Sequence, residues 1–96
     1  MPKYISLIGW TDQGIKDFKD TVARAEAAQA AAGALGGSME IYWTVGSYDL
    51  VAISDFPDQD AATAFLLQVG SLGNVRTTTL VAHTKEDMAR IIAKTG

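Results

Sequence analysis

The chain has 96 residues, of which 48% are hydrophobic and 20% charged, and its formal net charge is -3 at pH 7. These values are typical of one small globular domain and exclude a disordered chain. Without cysteine there is no disulfide framework and no Cys-based zinc site, and without a run of Lys or Arg there is no basic surface to bind DNA or RNA.

The N-terminal sequence MPKYISLIGW predicts no signal peptide, because its apolar run is short and lacks a small-residue cleavage site. A later Ala-rich stretch contains Glu26 and Gln29, which exclude it as a membrane span. We therefore expect a cytoplasmic protein without a membrane partner.

The first part of the chain predicts a strand and a long helix. Tyr4 to Trp10 is a short apolar and aromatic run typical of a strand, and Thr11 or Asp12 can cap the helix that follows. The sequence AEAAQAAAGALGG extends this helix until the two glycines end it. Helical spacing predicts a buried apolar face and a mostly charged outer face. The buried set is Ile15, Phe18, Val22 and Ala25, and the outer set is Lys16, Asp17, Asp20 and Arg24.

The middle of the chain predicts a β-hairpin and a second helix. SMEIYWTV and LVAISDF are rich in β-branched and aromatic residues, and they flank the turn GSYD. Pro57 ends the hairpin and Asp58 can cap the next helix. Apolar residues at helical spacing predict the buried face of that helix, which is Ala62, Phe65, Leu66 and Val69.

The last part of the chain predicts a strand and a terminal helix. GSLGN ends the second helix, and VRTTTLVA alternates Thr with apolar residues as a strand does. TKED then begins a helix that we expect to bury Met88, Ile91 and Ile92.

The predicted order β-α-β-β-α-β plus a terminal helix is an α+β, ferredoxin-like fold with a four-stranded antiparallel sheet, in one domain over residues 1–96. The handedness rule places both connecting helices on one face of the sheet. Because the strands do not alternate cleanly between apolar and polar residues, the other face should be covered too. We expect a second copy of the sheet to cover it, in a homodimer or a higher oligomer.

An even hairpin loop determines which side chains of the two flanking strands share a face. Trp43 and Tyr48 then share one face with Leu50 and Ala52. The opposite set is rich in β-branched residues, which suit packing against helices, so we expect Trp43 and Tyr48 on the open face. An odd loop would invert this orientation.

Three blocks of the sequence resemble the GYD domain family of small bacterial proteins, and they stand in the family's order. Gly46, Tyr48 and Asp49 match the Gly-x-Tyr-Asp element after which the family is named. The family is similar to dimeric α/β-barrel proteins, in which two ferredoxin-like sheets face each other. The resemblance implies a paired-sheet oligomer with no established activity or cofactor. The three blocks are WTDQG at 10–14, IYWTVGSYDLVAI at 41–53 and GSLGNVRTTTL at 70–80.

The candidate catalytic residues are Tyr48, Asp49 and His83. As a site, Tyr48 supplies a hydroxyl donor and Asp49 a general base or orienting group; as a turn, Gly46 has positive φ, Tyr48 packs and Asp49 caps. His83, the only histidine, lies where the last strand meets the last helix. It is either an acid–base group or a partly exposed junction residue.

The candidate ligand-binding residues are Arg76, Trp10 and Trp43. Arg76 begins a strand, where it can hold an anionic ligand or pair with a carboxylate, and the two tryptophans can stack on a ligand or fill the core or an interface. The carboxylates of DFPDQD lack the ligand pattern of an EF-hand, so we interpret them as capping and solvated residues and predict no metal site. No phosphate-binding glycine motif occurs, and we expect no cofactor.

Two classes of function fit these features. The first is a small organic ligand in a cavity between paired sheets, for binding alone or for cofactor-independent proton abstraction or oxygenation. The second is a structural or regulatory oligomer without catalytic activity, in which aromatic residues fill the interface. A cavity lined by Tyr48, Trp43, Arg76 or His83 would favour the first, and a filled interior the second.

Overall fold

The computed structural model describes residues 1–96, which form one four-stranded antiparallel sheet and four α-helices. The strand order β2-β3-β1-β4 confirms the predicted ferredoxin-like α+β fold. The elements in chain order are β1 (Lys3–Trp10), α1 (Asp12–Lys16), a 3-10 turn (Phe18–Asp20), α2 (Thr21–Ala34), β2 (Ser38–Trp43), β3 (Leu50–Asp55), α3 (Gln59–Ser71), β4 (Val75–Ala82) and α4 (Lys85–Ala93).

Two predicted helix caps are confirmed. The Thr11 hydroxyl accepts a hydrogen bond from the Gly14 N–H, and the Asp58 carboxylate accepts one from the Ala61 N–H at 2.8 Å. Both bonds satisfy backbone donors that the first turn of a helix leaves unpaired.

The predicted long helix is interrupted between α1 and α2, and its predicted buried face is therefore wrong. Asp17 has φ -103 and ψ 34, outside the helical range, so the chain turns before α2 begins. The turn removes the common face that one continuous helix would have had. Ala25 is buried as predicted, whereas Ile15, Phe18 and Val22 are 47%, 51% and 56% exposed.

Cross-strand pairing assigns each side chain of the sheet to a face. Ser6 pairs with Ala52, and Ile8 pairs with Leu50, on the face that α2 and α3 cover. The other face is free of helices, and it carries the partly exposed apolar residues Ile5, Leu7, Val51, Ile53 and Leu80.

The predicted orientation of the hairpin is wrong. Trp43 pairs with Leu50 and therefore lies on the helix face, where its indole N–H donates to the Thr21 hydroxyl of α2 at 3.0 Å. The β-branched residues of β3 lie on the open face instead. The helix face of the sheet carries small side chains such as Ser6 and Ala52. Tyr48 belongs to the loop between β2 and β3 and not to a strand face.

The core lies between the helices and one end of the sheet. Phe56 is 2% exposed, and its ring centroid lies 6.3 Å from that of Tyr4 and 5.3 Å from that of Phe65. Ala32 of α2 and Ala62 of α3 complete this cluster. Burial of aromatic rings in such tilted pairs stabilises the contact between the helix layer and the sheet.

The terminal helix begins at the predicted position, but of the three residues predicted to be buried only Ile91 is half-buried, and Met88 and Ile92 are exposed. Thr84 and Asp87 form a capping box at its N-terminus. No other helix or strand makes an extended contact with α4, and Met88 and Ile92 are 43% and 59% exposed. The chain is elongated as a result, with extents of 52 × 30 × 17 Å. None of the helices combines the length and the apolar character that crossing a membrane would need.

Candidate functional site

A cavity of about 520 Å³ lies between the helix face of the sheet and the helices α2 and α3. It is therefore on the opposite side of the sheet from the open face, where the sequence placed a cavity between paired sheets. Of the 22 residues that line it, 15 are hydrophobic, so its walls are mainly apolar. The sheet contributes Ile8, Trp10, Ile41, Leu50 and Ala52, α2 contributes Ala25, Ala28 and Ala31, and α3 contributes Phe65, Leu66 and Val69.

Small residues on facing surfaces create this cavity. Ala25 and Ala28 project from α2, and Ser6 and Ala52 lie on the sheet. Protein interiors normally fill such a gap to the density of an organic crystal. Here the small side chains leave part of the space between the helices and the sheet unfilled.

The cavity is closed at one end and open at the other. The aromatic cluster of Tyr4, Phe56 and Phe65 closes the end at which β1 begins. The opposite end lies where β1 ends, α2 begins and α3 ends, as the pairing of Trp10 with Val75 and the bond from Trp43 to Thr21 show. The lining residues that are themselves exposed mark the opening, and they are Ala27, Gln68, Ser71, Leu72 and Thr77.

Hydrogen bonds join the three GYD-like sequence blocks at this open end. The Trp10 N–H donates to the Asp49 carboxylate at 2.8 Å, which ties the first block to the second. The Thr11 N–H donates to the Asn74 carbonyl at 3.1 Å, and the Gln13 amide donates to the Asn74 side chain at 2.9 Å, which ties the first block to the third. Gly14 fits this contact because a Cβ at that position would overlap the Asn74 carbonyl oxygen.

The polar lining of the cavity is concentrated at the open end, and it includes one charged side chain. Arg24 donates to the Gly14 carbonyl at 3.0 Å and to the Asp17 carbonyl at 3.2 Å. These bonds hold the guanidinium at the interrupted turn between α1 and α2. The Asp17 carbonyl also accepts the Asp20 N–H at 3.0 Å, so Arg24 adds a second donor there.

Two of the predicted ligand-binding residues lie at the open end. Trp10 lines the cavity directly, and Trp43 contacts Thr21, which also lines it. The third, Arg76, is exposed on the open face of the sheet, where it pairs with Gly9 of β1. The structure thus brings the two tryptophans towards the cavity and separates Arg76 from it.

The three predicted catalytic residues are not brought together. Asp49 is bound to the backbone of β1, since its N–H donates to the Ile8 carbonyl at 2.8 Å and its carboxylate accepts from Trp10. Tyr48 is 38% exposed in the same loop, and His83 is exposed beyond the end of β4 that pairs with Lys3. Ile8 lies five positions after Lys3 along β1, which corresponds to about 17 Å.

Gly46 has the positive φ that the turn interpretation predicted, at 141°. Residues with a side chain rarely adopt this backbone conformation, whereas glycine does so without strain. The Thr44 hydroxyl donates to the Tyr48 carbonyl at 2.6 Å and closes the loop around this glycine.

Tyr42 and Asp87 each have a pKa shifted from its ordinary value, and both residues lie outside the cavity. A hydrogen bond to Glu40, together with the negative charge of that carboxylate, raises the pKa of Tyr42 on the open face. A hydrogen bond from the Thr84 backbone lowers the pKa of Asp87 in α4. Neither displacement marks a catalytic group in the cavity.

Sequence reasoning missed Arg24, Thr21 and Asn74 as site residues. Arg24 was assigned to the outer face of a continuous helix, and the break at Asp17 was not foreseen. A signal was nevertheless present in the sequence. The run of alanines in α2 faces strands that also carry Ser and Ala, and such a pairing predicts unfilled volume.

Comparisons with known proteins agree with this architecture. The GYD domain family model matches residues 4–92, and among curated proteins none matches the sequence. The chain is similar to the crystal structure of TTHA0845 from Thermus thermophilus, with 29% identity, a TM-score of 0.58 and coverage of 88% of this chain and 95% of that one.

A second similar structure is a dimeric ferredoxin-like protein from an uncultured marine organism, with 18% identity, a TM-score of 0.37 and coverage of 88% of this chain and 99% of that one. That likeness is too low to bear on how the present chain assembles. The family match, by contrast, spans nearly the whole chain, including all three blocks that meet around Trp10. The protein therefore belongs to the GYD domain family.

Proposed function

We propose that this GYD-domain protein is a homodimer that binds a small, mainly apolar molecule in the cavity between α2, α3 and the sheet. The observation that carries the proposal is the cavity itself. Its volume of about 520 Å³ falls within the range of roughly 300–1,000 Å³ typical of small-molecule sites. An apolar ligand would displace water from the aliphatic walls, which is favourable in proportion to the area buried.

The lining supports binding more strongly than acid–base catalysis. No Asp, Glu, His, Lys or Tyr side chain lines the cavity. General acid–base chemistry needs such a group within hydrogen-bond reach of the substrate. The catalytic roles of Tyr48, Asp49 and His83 stay predictions, and they require a ligand that extends beyond the cavity. An oligomer with a structural or regulatory role is the alternative if nothing binds.

Ligand binding can be tested with a variant that fills the cavity. Ala28→Leu places an isobutyl group among the lining residues, whereas Ala30→Leu makes the same change at an exposed position of α2 outside the cavity. We expect 4-phenylbutanamide, an uncharged probe, to raise the melting temperature of the wild type and of Ala30→Leu. Ala28→Leu should remain folded and bind at least about tenfold more weakly in calorimetry. Equal binding by the two variants would place the ligand elsewhere.

Exposed surface area supports self-association. The accessible surface is 6317 Å², whereas a compact monomer of 10.2 kDa has about 5,300 Å². The difference of about 1,000 Å² is similar to the roughly 800 Å² that each partner buries in a stable dimer. The open sheet face carries the exposed side chains of Tyr42 and Leu80 beside the partly exposed Ile5, Leu7, Val51 and Ile53. A second copy packed on the open face would cover this surface.

The dimer can be tested with a charge on the open face. Ile53 pairs with Glu40 of β2, so the cation that Ile53→Lys introduces lies beside a carboxylate of the same chain, which compensates its charge in the monomer. We expect light scattering to show a dimer for the wild type and a monomer for Ile53→Lys. Leu67→Lys, at a 69% exposed position of α3, should stay dimeric. A monomeric wild type would contradict the proposal.

A further inference from the structure

We propose that the ligand of this cavity carries one anionic group, such as a carboxylate, on an apolar body, and that Arg24 binds that group at the open end. The inference rests on the proposed ligand-binding function and specifies the chemical class of the ligand. The apolar body would occupy the space between Ala28, Ala52 and Phe65, and the anionic group would lie beside Arg24.

Arg24 is a positioned cation without a carboxylate partner. The salt bridges of the chain are Lys3–Asp55 and Arg90–Asp87, and no Asp or Glu oxygen lies within 4.0 Å of the Arg24 guanidinium. Its bonds to the Gly14 and Asp17 carbonyls fix the group in place and use only part of its N–H donors. The remaining donors are available to a ligand at the opening.

Neutral donors lie at the same end of the cavity. The Thr21 hydroxyl accepts a hydrogen bond from the Trp43 indole, so its own proton is free to be donated. The Asn74 side-chain oxygen accepts from Gln13, which leaves the Asn74 NH₂ group as a donor. Each of these groups can donate to a ligand oxygen, and together with Arg24 they favour a group that only accepts hydrogen bonds.

Arg24 brings a positive charge to a cavity whose walls are mainly apolar. Arg24 is a partly buried residue beside aliphatic walls, and a carboxylate that binds its guanidinium compensates the charge through short, charge-assisted hydrogen bonds. The planar guanidinium matches a carboxylate with two parallel N–H donors. Arg24 differs from other unpaired basic side chains, such as Lys16 and Lys19, because it lines the cavity.

The experiment compares 4-phenylbutyrate with 4-phenylbutanamide, which share the apolar body and differ in charge. We expect calorimetry of the wild type to show roughly tenfold to hundredfold tighter binding of the acid, the range for a hydrogen bond to a charged group. Added NaCl should weaken binding of the acid and leave that of the amide unchanged. Equal affinities for the two probes would overturn the inference while leaving the proposed function intact. Binding of neither probe would overturn both.

Variants of Arg24 test the residue itself. Arg24→Gln should remove most of the preference for the acid and keep amide binding within about twofold, which also shows that the cavity is intact. Arg24→Lys keeps the charge and should retain an intermediate preference, since Lys cannot bind a carboxylate through a planar fork. Arg76→Gln tests the residue that the sequence favoured, and Arg90→Gln serves as a control on α4. An acid preference that survives in Arg24→Gln or is lost in Arg76→Gln would overturn the assignment.

Discussion

The two ends of the layer between helices and sheet are built from the same elements but filled differently. At the closed end, Tyr4, Phe56 and Phe65 pack around the alanines of α2 and α3. Between that cluster and the open end, Ala28 of the same α2 and Ala52 of β3 line a cavity of about 520 Å³. Side-chain size therefore makes the difference, because the backbone layers are continuous. One well-packed end holds the helices on the sheet and allows the other end to remain available to a ligand.

The largest expected effect comes from removing an aromatic side chain at the closed end. Phe56 is 2% exposed and contacts both other rings of the cluster. Phe56→Ala should lower the free energy of unfolding by about 3–5 kcal/mol, as measured by urea denaturation. Ile41→Ala in the half-buried wall of the cavity should cost clearly less, because Ile41 already lacks packing partners on one side. Similar losses at both positions would show that the two ends are equally packed.

The same Ala→Leu substitution at two positions of α2, one helical turn apart, tests the comparison directly. Ala32 of α2 is fully buried at the closed end, and Ala28 lines the cavity. Ala32→Leu should overpack the core and cost about 1–3 kcal/mol. Ala28→Leu should have no cost or increase stability, because its side chain enters open volume. Thermal and urea unfolding of both variants measure the difference, and a destabilised Ala28→Leu would argue against an open cavity.

Asp49 should stabilise the open end through its bond to the Trp10 N–H. Asp49→Ala leaves this half-buried donor unsatisfied, and we expect a loss of about 1–2 kcal/mol in the free energy of unfolding. Asp49→Asn keeps an acceptor oxygen and should cost less. If Asn at this position abolishes turnover of a ligand without unfolding the chain, the general-base role predicted for Asp49 would gain support instead.

The smallest expected effect is the acid response of α4, which belongs to neither end. The Thr84 backbone hydrogen bond lowers the pKa of Asp87. The ionised Asp87 carboxylate in the cap therefore stabilises α4 at pH values above the ordinary Asp pKa of about 3.9. This stabilisation is lost as the pH falls through the lowered pKa of Asp87 in the folded state. Hydrogen exchange should show faster opening of α4 amides in acid. In Asp87→Asn this part of the pH dependence should be absent.

Much of the fold was predictable because it depends on local patterns. The hairpin, the caps at Thr11 and Asp58 and the fourth strand follow from turn chemistry and periodicity, and the structure confirms them. The break at Asp17 and the exposure of Met88 were not predictable from the same patterns. Spacing of apolar residues indicates where a helix can bury a face, but not whether another element of the chain lies there to cover it.

The candidate site was less predictable, since a cavity depends on which small residues face each other. The sequence named Trp10 and Trp43 as ligand-binding candidates, and the structure places Trp10 in the cavity lining and Trp43 beside it; the sequence also associated Asp49 with a site through the GSYD turn. It could not assign Arg24, because the direction of that side chain depends on the carbonyls of Gly14 and Asp17, which the break in the helix exposes. The Ala-rich run of α2 was interpreted only as a strong helix former.

The most direct test of the account is the fluorescence of Trp10 during ligand binding. Trp10 lines the cavity and Trp43 does not, so Trp43→Phe leaves one reporter inside the site. Titration with 4-phenylbutyrate should displace water from the Trp10 indole and shift its emission to shorter wavelength, reaching saturation at the affinity that calorimetry gives. Trp10→Phe, which retains Trp43, should show little shift. An unchanged Trp10 emission at saturating probe, or a shift confined to Trp43, would contradict the claim that this cavity is the ligand site.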